Sequence, residues 1–362
     1  MVTDMPTRRD ALVLLSGLIA QPWAHGTVNS HQARMVASWT REGRQEVGVL
    51  ALDRSESVKV VRRLELPTRA HGLSVGPDGT VLVAARRPGD WLLKWHPATG
   101  ASTWHWIDDD RQLNGHLMRL DDANQVLTTE TDRSSGEGMI GLRRTDTLQK
   151  IGEWPSHGMD PHAMLLLSAQ LGDIPAGALM VANGGIPTQS ETGRSHRQLD
   201  RMDPSLIAMD PRSGRVFDQW RLPDSRLSVR HLAFDPVTRR VGVALQAEHD
   251  DNGSRMAAPI LATWDGHQFS AVASSGHSHG YGGDICARPG GGFLVSATRA
   301  HQVVATKPGS ALVDRLALHD ACALAMARGQ WWAAGADHAR SAGHSRMGLA
   351  GFRLDNHWAW AS

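Results

Sequence analysis

The chain has 362 residues, of which 41% are hydrophobic and 21% charged, and it is long enough to bury a substantial core. Its formal net charge of +1 gives no reason to expect nucleic acid or an acidic membrane surface as a partner. The 19 histidines are the unusual feature of the composition, because imidazole is the commonest side-chain ligand for metals.

The first residues are typical of an export signal rather than of a folded domain. Residues 1–9 are polar and end in Arg8-Arg9, and residues 11–20 form an apolar run of ten, too short to span a bilayer. The segment from Thr7 to Leu12 matches the twin-arginine pattern T-R-R-x-x-L, with a Sec signal or a short basic anchor as the alternative. Cleavage is expected near Ala24. We therefore predict a signal peptide over 1–24, one domain over 25–362, and a periplasmic protein with no stable membrane insertion after cleavage.

Residues 32–66 read as three strands, ARMVASW, EVGVLALD and VKVVRRLEL, that lack an obvious first partner. We interpret them as an N-terminal sheet whose innermost strand is either residues 25–31 or is supplied from elsewhere in the chain. His25 would then be a candidate for the position that polar residues occupy at the start of the later repeats.

A short pattern recurs through the rest of the chain: a His or Asp opens a small apolar strand. Five of the six cases have a second strand-like residue ten positions later, and the openers are spaced at intervals of 36 to 69 residues. The openers are His71, His116, His162, His231, Asp284 and Asp320. Repetition of short strands at this period is the signature of a β-propeller, in which the first strand of each blade lines a central channel. The prediction is an all-β, seven-bladed propeller, with six blades as the alternative and HWAWAS as the last strand of the seventh blade.

One insertion, residues 184–204, connects the second and third strands of the fourth predicted blade. It is polar and rich in glycine, and it contains Arg194, Arg197 and Arg201. Loops of this length in compact domains are commonly functional, so a partial lid over the channel mouth is one interpretation and a disordered loop the other.

Because the six openers occupy one aligned position, we expect them to form a ring at the channel mouth. Four imidazoles and two carboxylates that converge on one axis favour a bound transition metal: imidazole suits zinc, copper, iron and nickel, and carboxylate extends the choice toward iron and manganese. In this hypothesis His71, His116, His162 and His231 bind the ion, while Asp284 and Asp320 either bind it or orient the imidazoles. The alternative is a polar channel that holds water and binds nothing.

The two cysteines, Cys286 and Cys322, occupy the same place in adjacent repeats. Three interpretations stay open: a disulfide, plain packing, or a second layer of ligands. The chain has no C-x-x-C-H segment, which argues against covalently attached haem, and no H-E-x-x-H, G-x-S-x-G or EF-hand pattern.

The twin-arginine leader, the segment AHGLSVGPDG and the segment DPHAMLLL resemble a bacterial family of unknown function. The resemblance covers the whole chain and implies a periplasmic seven-bladed propeller whose gene lies beside those of imelysin-type iron-uptake proteins. What it implies is a role in iron uptake or handling with periplasmic iron-uptake proteins as partners, and iron as the bound metal, with copper or zinc as alternatives. A metal-dependent oxidoreductase or hydrolase is the second hypothesis, and a non-catalytic scaffold for periplasmic proteins is the third.

We expect replacement of Arg8-Arg9 by Lys-Lys to leave the precursor in the cytoplasm with its leader attached, because the twin-arginine pathway requires the pair. Fractionation and immunoblotting of cells that express each form check this expectation. Normal export in a strain without the twin-arginine translocase would identify the leader as a Sec signal instead.

Overall fold

The computed structural model of this chain describes residues 33–52, 57–120, 124–187, 198–273, 278–308, 312–327, 329–342, 344–349 and 351–361. Within them the backbone forms 28 strands in seven antiparallel sheets of four strands each. Short helices are confined to connections: one α-helix, α1 (Asn252–Ala257), and two 3₁₀ turns, Leu199–Arg201 and Thr298–Ala300. The predicted seven-bladed β-propeller is confirmed. No helix among these residues is long and apolar enough to cross a membrane.

Each sheet is one blade, with its four strands arranged in succession from the axis outward. In that order, blade 1 consists of β28 (Arg353–Trp360), β1 (Ala33–Arg41), β2 (Arg44–Leu52) and β3 (Lys59–Leu66). Blade 2 consists of β4 (Ala70–Val75), β5 (Val81–Ala85), β6 (Trp91–Trp95) and β7 (Ser102–Trp106). Blade 3 consists of β8 (Arg111–Arg119), β9 (Gln125–Asp132), β10 (Gly138–Arg144) and β11 (Lys150–Pro155), and blade 4 of β12 (Pro161–Leu166), β13 (Leu179–Asn183), β14 (Ser205–Met209) and β15 (Val216–Trp220).

Blades 5 to 7 consist of β16 (Leu227–Asp235), β17 (Arg240–Ala247), β18 (Leu261–Trp264) and β19 (Phe269–Ala271); β20 (Ile285–Ala287), β21 (Phe293–Ala297), β22 (Gln302–Thr306) and β23 (Leu312–Ala317); and β24 (Ala323–Ala327), β25 (Gln330–Ala334), β26 (His338–Ser341) and β27 (His344–Gly348).

The two ends of the chain meet in blade 1. Strand β28, from the C-terminus, pairs antiparallel with β1 and is the innermost strand of the sheet that β1 begins. The strand that residues 32–66 lack is therefore supplied from elsewhere, as one of the two interpretations expected, and residues 25–31 lie outside the described residues. The assignment of HWAWAS to the outer edge of blade 7 is wrong, because β24 to β27 already complete that blade and the last strand closes the ring.

The core lies between neighbouring blades, where the two faces of each sheet are both covered. The middle strands are accordingly near-continuous apolar runs: all five residues of β5, β13 and β14 are buried. Trp39, Trp91 and Trp264 are among the largest fully buried side chains and fill the space between sheets.

A buried charged cluster lies inside blade 3. The Glu130 carboxylate is fully buried and pairs with Arg143 at 2.8 Å and with Lys150 at 2.7 Å. Glu130 thus ties β9 to β10 and β11 from within the sheet.

The closing strand should carry a large share of the stability. Trp358 is 5% exposed and packs in the cluster that joins blade 1 to blade 7, so Trp358→Ala removes a large side chain from a filled space. We expect the free energy of unfolding to fall by about 3–5 kcal/mol. Urea denaturation of the variant measures this.

The matched control is Ile151→Ala, because Ile151 is 51% exposed on β11. Its effect should stay within about 0.5 kcal/mol, as for ordinary surface substitutions. Equal losses in the two variants would contradict closure through β28.

Candidate functional site: a ring of histidines on the propeller axis

Five imidazoles meet where the innermost strands of blades 1 to 5 converge. Around the circuit, the centroid distances between neighbouring rings are 4.5 to 4.7 Å. The members, in order, are His71, His116, His162, His231 and His357. The structure thus brings together all four histidines predicted from the sequence and adds a fifth, His357. We call these five residues the histidine ring.

Each member of the histidine ring lies at a break in the strand register. On β4, three residue steps from Ala70 to Leu73 oppose two steps on β5, and His71 lies between them. The pairing of the other four innermost strands also shifts, by three steps against two around His162 and His231 and by four against two around His116 and His357. A β-bulge places extra residues against the partner strand and turns a side chain out of the regular alternation. The bulges explain how five side chains from five sheets are directed at one place.

Two glycines make room for the close approach of β4 to β8. A Cβ on Gly72 would lie 2.5 Å from the Gly115 carbonyl oxygen, and a Cβ on Gly115 would lie 2.8 Å from Cδ2 of His71. Gly115 also has φ +100, a conformation that side chains with a Cβ rarely adopt. Both positions therefore require glycine if His71 and His116 are to touch.

Strands β20 and β24 of blades 6 and 7 pair with their neighbours without a register shift, and neither carries a histidine on the axis. Asp284 nevertheless reaches the ring indirectly. Its carboxylate accepts hydrogen bonds from the backbone N–H of Ile285 and of Leu324, and it lies 3.3 Å from Nδ1 of His357. A carboxylate behind one imidazole nitrogen orients the ring and leaves the other nitrogen for a ligand.

Asp320 does not join the ring, contrary to the prediction. It occupies a turn before β24 with φ +47, and its carboxylate pairs with Arg353 at 2.9 Å and with Nδ1 of His301 at 3.1 Å. With His301 and His319 it forms a separate, exposed group of potential ligands. The reason is that β24 begins only at Ala323, so the opener of blade 7 belongs to the preceding loop rather than to the innermost strand.

Four of the five imidazoles could hold one ion together. One nitrogen from each of His71, His116, His231 and His357 lies within 4.8 Å of the others. Three buried ring nitrogens have no hydrogen-bond partner within the described structure: Nδ1 of His71, Nε2 of His116 and Nε2 of His357. Buried polar atoms are normally paired, so these nitrogens indicate a missing partner such as an ion.

His162 is placed differently from these four. Its Nε2 is 3.2 Å from Nε2 of His231, and Nη1 of Arg230 is 3.4 Å from its Nδ1. A separation of 3.2 Å suits a hydrogen bond and also suits two nitrogens on one tetrahedral ion, which lie about 3.3 Å apart. Because Arg230 only donates, its contact favours a His162 that accepts at Nδ1 and carries its proton at Nε2. This tautomer favours the hydrogen bond to His231.

Burial keeps four members of the histidine ring neutral. Burial, followed by the charge on His357, holds the pKa of His71 well below its ordinary value, and the same two causes act on His116 and His231. The pKa of His162 is lowered first by burial and then by His116. Only a neutral imidazole has the lone pair that binds a metal, so the low pKa values keep these side chains competent as ligands.

The two cysteines contribute neither a disulfide nor a thiolate ligand. Both are free and buried, and they pack in different apolar clusters. Burial raises the pKa of Cys322 to about 12 and raises that of Cys286 even further, so both stay as thiols. Of the interpretations left open by the sequence, packing is the one that the structure shows.

A cavity of about 300 Å³ opens onto the ring at His71, His162 and His231. Four arginines line it, Arg86, Arg87, Arg230 and Arg299, together with Glu248 and Tyr281. Most of these residues belong to connections between second and third strands. The insertion that the sequence placed over the channel mouth is one of these connections, and its residues 188–197, with Arg194 and Arg197, lie outside the described residues.

Sequence reasoning missed His357 and the arginines. His357 was hidden because its strand was assigned to the wrong blade. Its sequence signal is weak, since Asn356-His357-Trp358 does not open an apolar strand as HGLSV does. The arginines come from three different blades and have no common spacing.

Comparisons with known proteins describe the fold and the family but not an activity. A family model described as "Protein of unknown function (DUF1513)" matches residues 64–361. Virginiamycin B lyase from Staphylococcus aureus is similar in structure, with a TM-score of 0.53, 10% identity and coverage of 79% of this chain and 83% of that one. Hydrazine synthase from Kuenenia stuttgartiensis is similar with a TM-score of 0.54 and 12% identity, over 84% of this chain and 92% of that one. At such identities the likeness shows the propeller fold alone. No curated protein matches.

The neutral ring predicts a stability that depends on pH. A histidine whose pKa is lower when folded binds its proton preferentially when unfolded, so stability is full above about pH 6.5 and falls as the pH drops below it. We expect metal-free protein to lose about 1.4 kcal/mol per pH unit for each such histidine in that window. Urea denaturation between pH 7.5 and pH 5 measures the slope.

The comparison variant is His162→Gln, which stays polar and buried but cannot be protonated. Because it removes one titrating group, it should reduce the slope by about 1.4 kcal/mol per pH unit. A stability that is constant between pH 7.5 and pH 5 in the metal-free parent would show that the ring is protonated in the folded state.

Proposed function

This chain belongs to the DUF1513 family, whose model matches residues 64–361, and we propose that it binds a transition metal ion at the histidine ring. The observation that supports this function is the convergence of four imidazole nitrogens within 4.8 Å, three of the ring nitrogens being buried and unpartnered. Each ligand comes from a different blade, so the site is a property of the closed propeller.

The donor set indicates the class of metal. All four candidate ligands are imidazoles, and the Asp284 carboxylate lies against His357 and two backbone N–H groups. Imidazole donors suit iron, copper, zinc and nickel and do not suit calcium or magnesium. We choose iron among them because of the resemblance to a family associated with iron uptake. The proposal therefore includes a periplasmic location and a role in iron uptake or handling alongside periplasmic iron-uptake proteins.

A second candidate function is metal-dependent catalysis, and one observation favours it. The cavity of about 300 Å³ opens directly onto the ring, so a small molecule could reach an ion held there. An oxidoreductase or hydrolase would use the ion to polarise such a molecule or to activate water. A change of ion oxidation state on adding a substrate would separate this function from metal transport.

We expect His116→Ala and His231→Ala each to lower the metal content of protein isolated from the periplasm at least tenfold, because each removes one ligand. His357→Ala should have the same effect, whereas His162→Ala should have a smaller one, since its nitrogen lies outside the group of four. Elemental analysis together with titration of iron, copper and zinc into the stripped protein measures both quantities. Bound metal should be retained down to about pH 6.5 and released only at lower pH, because burial holds the pKa values of His71, His116 and His231 well below that of free imidazole.

The matched control is His267→Ala. His267 is exposed in the turn between β18 and β19, among the connections of third and fourth strands, and its loss should leave the metal content unchanged. Far-ultraviolet circular dichroism shows whether each variant keeps its fold. Less than about a tenth of an equivalent of any transition metal in the parent, with no uptake on titration, would contradict the proposal and favour a structural ring within a scaffold.

A further inference from the structure

We propose that the cavity above the histidine ring binds a small organic anion with two or more separated carboxylate groups, one of which contacts the ion held by the ring. The first claim, that the cavity binds an anion, is argued from the arginines of the cavity. The second claim, the contact with an ion, rests on the proposed function.

The cavity carries an excess of positive charge. Among the described residues, four arginines and one carboxylate, that of Glu248, line it. Behind the wall, two buried carboxylates each serve a pair of arginines: Asp160 pairs with Arg87 and Arg230, and Asp355 pairs with Arg69 and Arg86. Each pair therefore retains one uncompensated positive charge, and because the charges of Arg299 and Glu248 are equal and opposite, the group keeps a net charge of +2. An anion is the ligand that this distribution attracts.

The buried carboxylates also fix where the guanidinium groups point. Arg230 is 2% exposed, and its Nη1 donates to Asp160 at 2.9 Å. Arg86 and Arg69 donate to Asp355 at 2.7 to 2.9 Å. Arg299 is held over the ring of Tyr281, with the guanidinium carbon 4.5 Å from its centroid. Arginines held in this way lose little entropy when they bind a carboxylate.

One buried donor in this wall has no partner. Nε of Arg230 is enclosed and makes no hydrogen bond within the described structure, although Nη1 of the same side chain is paired. A guanidinium nitrogen left unpaired in a buried position is costly unless a ligand satisfies it. Arg230 is also the residue next to His231 on β16, so a ligand that it binds lies beside the histidine ring.

The arginines are held at three separate places, and this arrangement favours separated carboxylates over one compact anion. The Arg87–Arg230 pair centres on Asp160, the Arg86–Arg69 pair centres on Asp355, and Arg299 stands apart on Tyr281. A dicarboxylate or tricarboxylate offers one group to each point, and the cavity of about 300 Å³ lies at the small end of the usual range of ligand sites. Phosphate carries its charge at a single centre and would engage one point only.

The ring itself supplies a reason for the anion to reach the ion. A divalent ion held by neutral imidazoles alone keeps its full charge in a buried position, next to arginines that add to it. Such a site is stabilised when an external anion completes the coordination. The arrangement thus couples the two ligands, because each lowers the electrostatic cost of binding the other.

The test uses full-length mature protein stripped of metal, titrated calorimetrically with citrate, succinate and phosphate at low ionic strength. We expect citrate and succinate to bind with affinities that weaken as salt is added, and phosphate to bind at least tenfold more weakly than citrate. Arg299→Ala should weaken citrate binding about tenfold, as should Arg87→Lys, which keeps the charge beside Asp160 but loses the planar fork. Since Arg299 is exposed, its variant should fold even if Arg87→Lys does not.

The matched control is Arg212→Ala, which removes the same charge from an exposed turn between β14 and β15, away from the lining residues. Unchanged citrate affinity in this control, with loss in Arg299→Ala, supports the cavity as the site. An equal loss in both variants would reduce the binding to general charge attraction and overturn the proposal. Phosphate binding as tight as that of citrate would overturn the argument from separated carboxylates.

A second titration tests the contact with the ion and uses succinate, which chelates metals weakly in solution. Succinate affinity should rise at least tenfold once the ring is loaded with zinc. Unchanged affinity in loaded protein would overturn the contact while leaving the cavity as an anion site. If zinc does not bind, iron or copper is used to load the ring; if none of the three binds, the proposed function fails, and the metal-free titration still decides whether the cavity takes an anion.

Discussion

Five imidazoles touch one another at the centre of the molecule, and the pKa values of four of them, His71, His116, His162 and His231, are lowered by burial. Charged histidines 4.5 to 4.7 Å apart would repel one another strongly in a medium of low dielectric. Burial removes the water that would otherwise stabilise the charged forms, so the packing that crowds these four imidazoles also keeps them neutral. A neutral imidazole, however, has one donor and one acceptor. One nitrogen each of His71, His116 and His357 makes no hydrogen bond within the described structure, so the crowding of the imidazoles leaves buried polar atoms unpaired.

The closing strand connects this centre to the stability of the whole fold. Strand β28 supplies the inner edge of blade 1, the fifth imidazole, and Asp355, which pairs with Arg69 and Arg86 of blade 2. The candidate site is therefore incomplete until the last residues of the chain have paired with the first strand. A site assembled this late forms only in a fully folded protein. That order agrees with the proposed twin-arginine route, which carries proteins that are already folded.

The sequence was informative where local pattern and position coincide. The spacing of strands predicted the number of blades, and the His-plus-apolar segments of β4, β8, β12 and β16 predicted four of the five ring members, although His116 and His231 lie in mid-strand rather than at its start. It failed at blade 7, where Asp320 looked like an opener but precedes its strand by a short turn. It failed again at His357, whose role depends on a pairing between residues more than 300 positions apart, which no local pattern reveals. The bulges were equally hidden, since register is a property of two strands.

The blades contribute different kinds of group to the candidate site, and each kind lies on a different side of it. Blades 1 to 5 carry bulges and imidazoles, while blade 6 contributes the Asp284 carboxylate from the residue just before β20, and blade 7 contributes the backbone N–H of Leu324 that helps to hold it. The arginines of the cavity come from blades 2, 5 and 6, and the carboxylates that hold three of them do not themselves line it. The arginines thus face the cavity, the imidazoles face the axis, and the Asp284 carboxylate lies behind His357. A cation on the axis is stabilised in such a field when an anion lies beside it, so the proposal treats the arginines and the histidine ring as parts of one site.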